Sequence, residues 1–151
     1  MDKIENILYL YPDIPERVQK LNAELNMIML SRNESYNTLK AVQITDMPHG
    51  TGTGDPTGDA VSRMIDKADA SAQKIIEQIN TLLDYKTELD YILNSGFLDY
   101  NERRYIELRY FDRYNKKRIP DIMYYSSRQC DRFRKKAIAK IEAEMSTRKA
   151  G

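Results

Sequence analysis

The chain has 151 residues, 41% hydrophobic and 31% charged, with no Trp and a formal net charge of +1, which suits a helical protein of one domain, or a small domain with an extended arm. Its one cysteine excludes an internal disulfide and a cysteine-based metal cluster. No apolar run approaches a membrane span and no charged-then-apolar leader opens the chain, so the expected location is the cytoplasm. The small net charge hides an asymmetry. Residues 101–151 carry 15 basic and 7 acidic side chains, net +8, which leaves 9 basic and 16 acidic, net −7, for residues 1–100. Such a division points to a nucleic-acid end and a different job for the other end.

Residues 2–11 set Ile4, Ile7, Leu8 and Tyr11 at helical spacing, which predicts a short amphipathic helix stopping at Pro12. Beyond it Ile14, Val18, Leu21, Leu25 and Ile28 step by four and three, predicting a helix over about 16–40. From 44 to 59 the composition changes to Gly50, Gly52, Gly54 and Gly58 with Pro48 and Pro56 between them, a loop. No Lys-Ser or Lys-Thr follows as in a P-loop, the spacing misses the dinucleotide fingerprint, and no strand precedes it. The stretch reads as a flexible or hairpin-closing linker, with His49 solvated rather than a ligand.

The longest predicted helix covers 57–94. Val61, Ile65, Ala68, Ala72, Ile75, Ile79, Leu82, Lys86, Leu89 and Leu93 step by four and three, a heptad seam broken only by Lys86. At 1.5 Å per residue it would be on the order of 50 Å long. A second stripe, Met64, Ile76, Leu83, Tyr85 and Ile92, widens the apolar surface and calls for a further helix. Residues 16–39 can fold back antiparallel through the loop, and the excess apolar surface favours a homodimer. Ser95 and Gly96 stop the helix.

After Gly96 three short helices are predicted, at 100–113, 116–124 and 127–145, with tight joints near Tyr114 and Ser126. Ser126 and Gln129 have the spacing of a reciprocal capping box, which starts the last helix at Ser127. Its apolar residues Cys130, Phe133, Ala137, Ile138, Ile141 and Met145 fall on one face, and Arg128, Arg132, Lys135 and Lys136 collect opposite, with Asp131 at the edge. The helix before it, with Asn115 as its N-cap, buries Ile119, Ile122 and Met123. Two short helices joined by a tight turn, the second basic on its outer face, is the helix-turn-helix arrangement whose second helix enters the major groove. Ten Lys or Arg against Asp121 and Asp131 between Arg113 and Lys140, net +8, make phosphate the obvious partner.

The chain also resembles the ArpU/RinA-type regulators of phages and prophages in Gram-positive bacteria, whose C-terminal part is like region four of bacterial sigma factors. The resemblance is carried by Arg103 and Arg104, the run Leu108, Arg109, Tyr110, Phe111, the 18-residue span from Arg109 to Ser126, Tyr125, Arg128 and Gln129, and Ala137 with Ile138. Met47, Pro48 and the Gly-rich run ending Asp55, Pro56, Thr57 look like the family's middle loop. Three positions depart from its pattern. Pro120 stands where a small residue is usual, Tyr124 where Gly is usual, and Lys116 where an aromatic is usual. Proline inside a helix costs roughly 3 kcal/mol but is tolerated in the first turn, so the second helix can start near Ile119.

The expectation is an all-α protein: a helical arm over 1–95 for dimerisation or partner binding, and a sigma region-four-like helix-turn-helix domain over 97–146. Ser127, Arg128, Gln129, Arg132 and Lys136 are the candidates for reading base edges, since Arg fits guanine and Gln fits adenine. Lys116, Lys117, Arg118, Lys135 and Lys140 are the candidates for phosphate. The partner is double-stranded DNA, with RNA polymerase or another regulator as a second possibility, and the resemblance implies a transcription regulator of phage or prophage genes, an activator, acting in a bacterial host cell. A sigma-like protein gripping the polymerase, or a small terminase subunit, is the alternative. No cofactor is implied, and one His with no clustered metal ligands leaves catalysis without a natural set of residues.

Overall fold

The helical periodicities become six α-helices in a computed structural model, which describes residues 3–44 and 56–150, with side chains over 3–37 and 58–148. They are α1 (Lys3–Leu10), α2 (Ile14–Ile44), α3 (Pro56–Asn94), α4 (Tyr100–Ile106), α5 (Ile119–Met123) and α6 (Ser127–Ala150). A 3₁₀ turn at Tyr11–Asp13 joins α1 to α2, and α4 continues into a π-turn at Glu107–Phe111. The described residues hold no strand, so the fold is all-α as expected. The expected 44–59 loop is shorter at its end, because Pro56 opens α3, a position where a missing N–H costs nothing. His49, Gly50, Gly52 and Gly54 lie outside the described residues.

Two compact units result: Met1–Glu16 with Leu82–Gly151, and Arg17–Thr81. This differs from the expected boundary after residue 95. Ile4, Ile7 and Leu8 of α1 and Leu89, Ile92 and Leu93 of α3 share one buried cluster with Tyr105, Ile106, Ile119, Cys130, Phe133, Ala137 and Ile141. A core of α4–α6 alone is small, and three more aliphatic side chains from α1 add about 1.5–3 kcal/mol each when fully buried. Polar links tie α1 down as well: the Tyr110 hydroxyl donates to Glu5 Oε1 at 3.2 Å, and the Tyr9 and Tyr110 rings meet edge to face at 4.8 Å. Within the same unit the Tyr11 hydroxyl donates to Asp90.

The unit Arg17–Thr81 is made of α2 and α3 side by side, pinned by the Arg32–Asp69 ion pair. Arg32 and Asp69 stand about equally far from Ile44 and Pro56, the register of an antiparallel hairpin. The predicted seam faces inward: Ala72, Ile75 and Ile79 are buried, and Val18, Leu21, Leu25 and Ile28 half-buried. The second stripe divides. Ile92 is fully buried, whereas Met64, Ile76 and Leu83 stay exposed.

Local signals set the ends of the short helices. Gly96 takes φ +83°, the left-handed geometry that ends α3, as its position predicts. The Asp99 backbone N–H donates to Glu102 Oε2 at 3.2 Å at the start of α4. α4 is followed by a π-turn where a helix to residue 113 is expected, and the chain leaves it through Arg113 at φ +61°. The second short helix starts at Ile119 rather than 116, which puts Pro120 in the first turn, where its ring clashes with nothing behind it. α6 runs five residues past the predicted end at Met145.

Candidate nucleic-acid interface

The site grows from the turn between α5 and α6. The Tyr124 N–H and the Tyr125 N–H both reach the Pro120 carbonyl, the second at 3.3 Å, so the chain reverses within Tyr124–Ser126. That geometry needs a left-handed residue, and Tyr124 supplies it at φ +61°, ψ +37°. The cost for a residue with a Cβ is about 1–2 kcal/mol. Ser126 Oγ then accepts from the Gln129 backbone N–H at 3.1 Å, the expected cap. The Gln129 side chain makes no reciprocal bond among the described residues, so only half of the expected box forms and its amide stays available.

From Ser127 the helix turns one side into the core. Cys130, Phe133, Ala137, Ile138, Ile141 and Met145 are buried, as their spacing predicts. Burial also pushes the Cys130 thiol up, which makes it an inert packing group. On the opposite side Arg128, Arg132 and Lys136 are exposed, and none of them meets a carboxylate among the described residues. Ser127 is exposed beside them. Lys117 is exposed too, and Arg118 stacks its guanidinium over the Tyr114 ring at 5.6 Å with no acidic partner among the described residues.

Three candidate phosphate groups are engaged within the chain. Lys135 Nζ lies 3.2 Å from Asp131 Oδ2 and Lys116 Nζ 3.7 Å from Asp131 Oδ1. Hydrogen bonds from Arg134 and Lys135 hold the Asp131 carboxyl below its usual range. Lys140 is the clear correction. Its ammonium donates to both oxygens of Glu102, at 2.8 and 3.1 Å, and Glu102 is only 2% exposed. That bond lifts the Lys140 pKa above its usual value. An ammonium offered to phosphate would leave a buried carboxylate short of its partner, so Lys140, itself partly exposed, is tied to Glu102 rather than free on the outer face.

Arg134, counted in the basic excess, also turns inward. It meets Glu5 at 3.0 Å and Asp131 at 3.1 Å, and these partners keep its charge despite half-burial. The signal was present in the spacing: Arg134 lies four residues after Cys130 and four before Ile138, on the packing stripe itself. α6 thus sorts its cations. One flank is tied to Glu5, Asp131 and Glu102, and the other shows Arg128, Arg132 and Lys136 to solvent.

No protein-family model matches the sequence, and no curated protein or solved structure matches it. The described residues contain no group of three or more His, Cys, Asp or Glu placed to hold a metal ion. They contain no helix long and apolar enough to cross a membrane. Three unpaired cations at successive turns of one helix repel one another by a few tenths of a kcal/mol per pair. Such a face is relieved by a polyanion.

Proposed function

We propose that the chain is a sequence-specific regulator of transcription that binds double-stranded DNA, of the kind the resemblance to ArpU/RinA-type phage and prophage regulators implies. α5, the turn and α6 act as the helix-turn-helix, with the N-terminal half of α6 in the major groove. Arg128 and Arg132 offer bidentate donors to guanine, the Gln129 amide fits adenine, and Lys136 and Ser127 complete the reading face. Lys117 and Arg118 neutralise phosphate beside it, with Lys116 and Lys135 contributing as far as Asp131 releases them.

The observation that carries this reading is that Arg128, Arg132 and Lys136 meet no carboxylate among the described residues, while Arg134, Lys135, Lys140 and Arg148 of the same helix each do. A face kept only for solubility normally mixes signs evenly, whereas Arg128, Arg132 and Lys136 have Asp131 alone at the edge of theirs. Titrating the protein into a labelled mixed-sequence duplex at rising salt tests it. Binding by several cations weakens with a log–log slope of about −0.9 per phosphate neutralised, whereas a protein that grips only RNA polymerase shows no such binding.

The unit of α2 and α3 supplies self-association in this reading. Met27 is 72% exposed and Leu30 63% exposed on α2, and Met64 is exposed on α3, apolar groups that a second copy would cover. A dimer presents two α6 helices to a repeated site. Sedimentation equilibrium should return twice the 17.7 kDa chain mass, and a ring of many subunits would favour DNA packaging over transcription.

A further inference from the structure

We propose that Tyr124 is a DNA-backbone contact whose phenolic O–H donates to a phosphate oxygen beside the groove; this rests on the DNA-binding reading above and extends it to a residue that the basic pattern does not single out. The argument begins with two neighbours of the same type. Tyr125 has work inside the chain: its ring meets Phe133 edge to face at 5.1 Å, and its hydroxyl accepts from Asn101 Nδ2 at 3.1 Å. The Tyr124 side chain has none. It is 92% exposed and makes no hydrogen bond or ring contact with any described residue.

Yet Tyr124 occupies a position that penalises it. The turn fixes φ at +61° because two successive N–H groups must reach the Pro120 carbonyl, and glycine meets that demand without the steric cost. The chain carries a large aromatic there, and no packing within the fold offsets the strain. Strain held in an exposed residue points to a binding function.

Position and charge select the partner. In a two-helix groove reader the first helix crosses the phosphodiester backbone while the start of the second reaches the bases. A side chain leaving the turn between them stands over the sugar-phosphate chain. Lys117, Arg118 and Arg128, which meet no carboxylate among the described residues, precede and follow it in sequence, so the surroundings favour an anion. Tyrosine hydroxyls are among the groups that position a protein on phosphate without reading sequence.

The test compares the full chain with Tyr124→Phe, Tyr124→Gly and Arg132→Ala. Each is titrated against a labelled mixed-sequence duplex and against a duplex selected by the full chain from a random library, and each is thermally unfolded. Tyr124→Phe should bind both duplexes about 3- to 10-fold more weakly, with Tm unchanged. Tyr124→Gly should lose at least as much affinity while Tm rises by roughly 2–8 °C. Affinity at the full-chain level in either variant overturns the proposal, as does a loss confined to the selected duplex, which would make Tyr124 a base reader. Weakened binding by Arg132→Ala in the same experiment would show that the DNA reading stands in those cases. If the full chain shows no salt-dependent binding, both readings fall together.

Discussion

Lys140 Nζ lies 2.8 Å from Glu102 Oε2, and this pair fastens α6 to α4 across the core. Lys140→Met leaves the buried carboxylate with the Asp99 N–H alone. It should cost about 1–3 kcal/mol in urea unfolding, while the duplex affinity of the folded variant stays within about twofold. The pH sign follows from the raised pKa. The contribution is complete below the usual lysine value of 10.5 and is lost only as pH rises through the higher folded value. The difference in stability between the full chain and the variant should therefore persist through neutral pH and shrink in strong alkali.

Tyr105 is 1% exposed, and its hydroxyl has no hydrogen-bond partner among the described residues. Burial raises its pKa, as expected for a phenol held among apolar groups. Tyr105→Phe removes the unsatisfied oxygen and keeps the ring. Stability should stay level or rise by up to about 1 kcal/mol in the same unfolding assay, where most core substitutions lower it.

Asp131 behaves in the opposite pH direction from Lys140. Its carboxyl is held below the usual 3.8, chiefly by hydrogen bonds from Arg134 and Lys135. The stability it adds is present above that value and is lost as pH falls through the lower folded one. Asp131→Asn should flatten the decline of Tm in acid. It should also tighten duplex binding by a few fold, because Lys116 and Lys135 are released and a negative charge leaves the face.

Arg113 shares the left-handed backbone of Tyr124, with φ +61°, but it has compensation. Its guanidinium bonds Asp13 at 2.6 Å and the Tyr9 carbonyl at 3.2 Å. Arg113→Gly should be nearly neutral, since strain relief of about 1–2 kcal/mol offsets the lost bonds. Arg113→Ala keeps the strain and loses the bonds, and should be the less stable of the two by thermal unfolding.

Much of this fold is written in short-range pattern. The four-and-three spacing from Val61 to Leu93 gives α3 its full length, Gly96 its end, and Ser126 the start of α6. What spacing hides is long-range. Nothing near Glu5 in sequence announces Arg134 or Tyr110, both over a hundred residues away, so the joining of α1 to the C-terminal helices emerges only on folding. The π-turn at Glu107–Phe111 departs from simple periodicity for a reason that the sequence does not reveal. Among the candidate site residues, Arg128, Arg132 and Lys136 lie on the solvent face read from 100° steps. Lys140 stands seven residues after the buried Phe133, and this position rather than its charge brings its ammonium to Glu102.

The central claim is that the free cations of α6 face a duplex. The most direct measurement is the affinity of Arg132→Ala for a selected duplex and its single-base variants at fixed salt. A loss of about 1–3 kcal/mol with relaxed preference at one base position is the predicted result. Unchanged affinity and unchanged preference would contradict it.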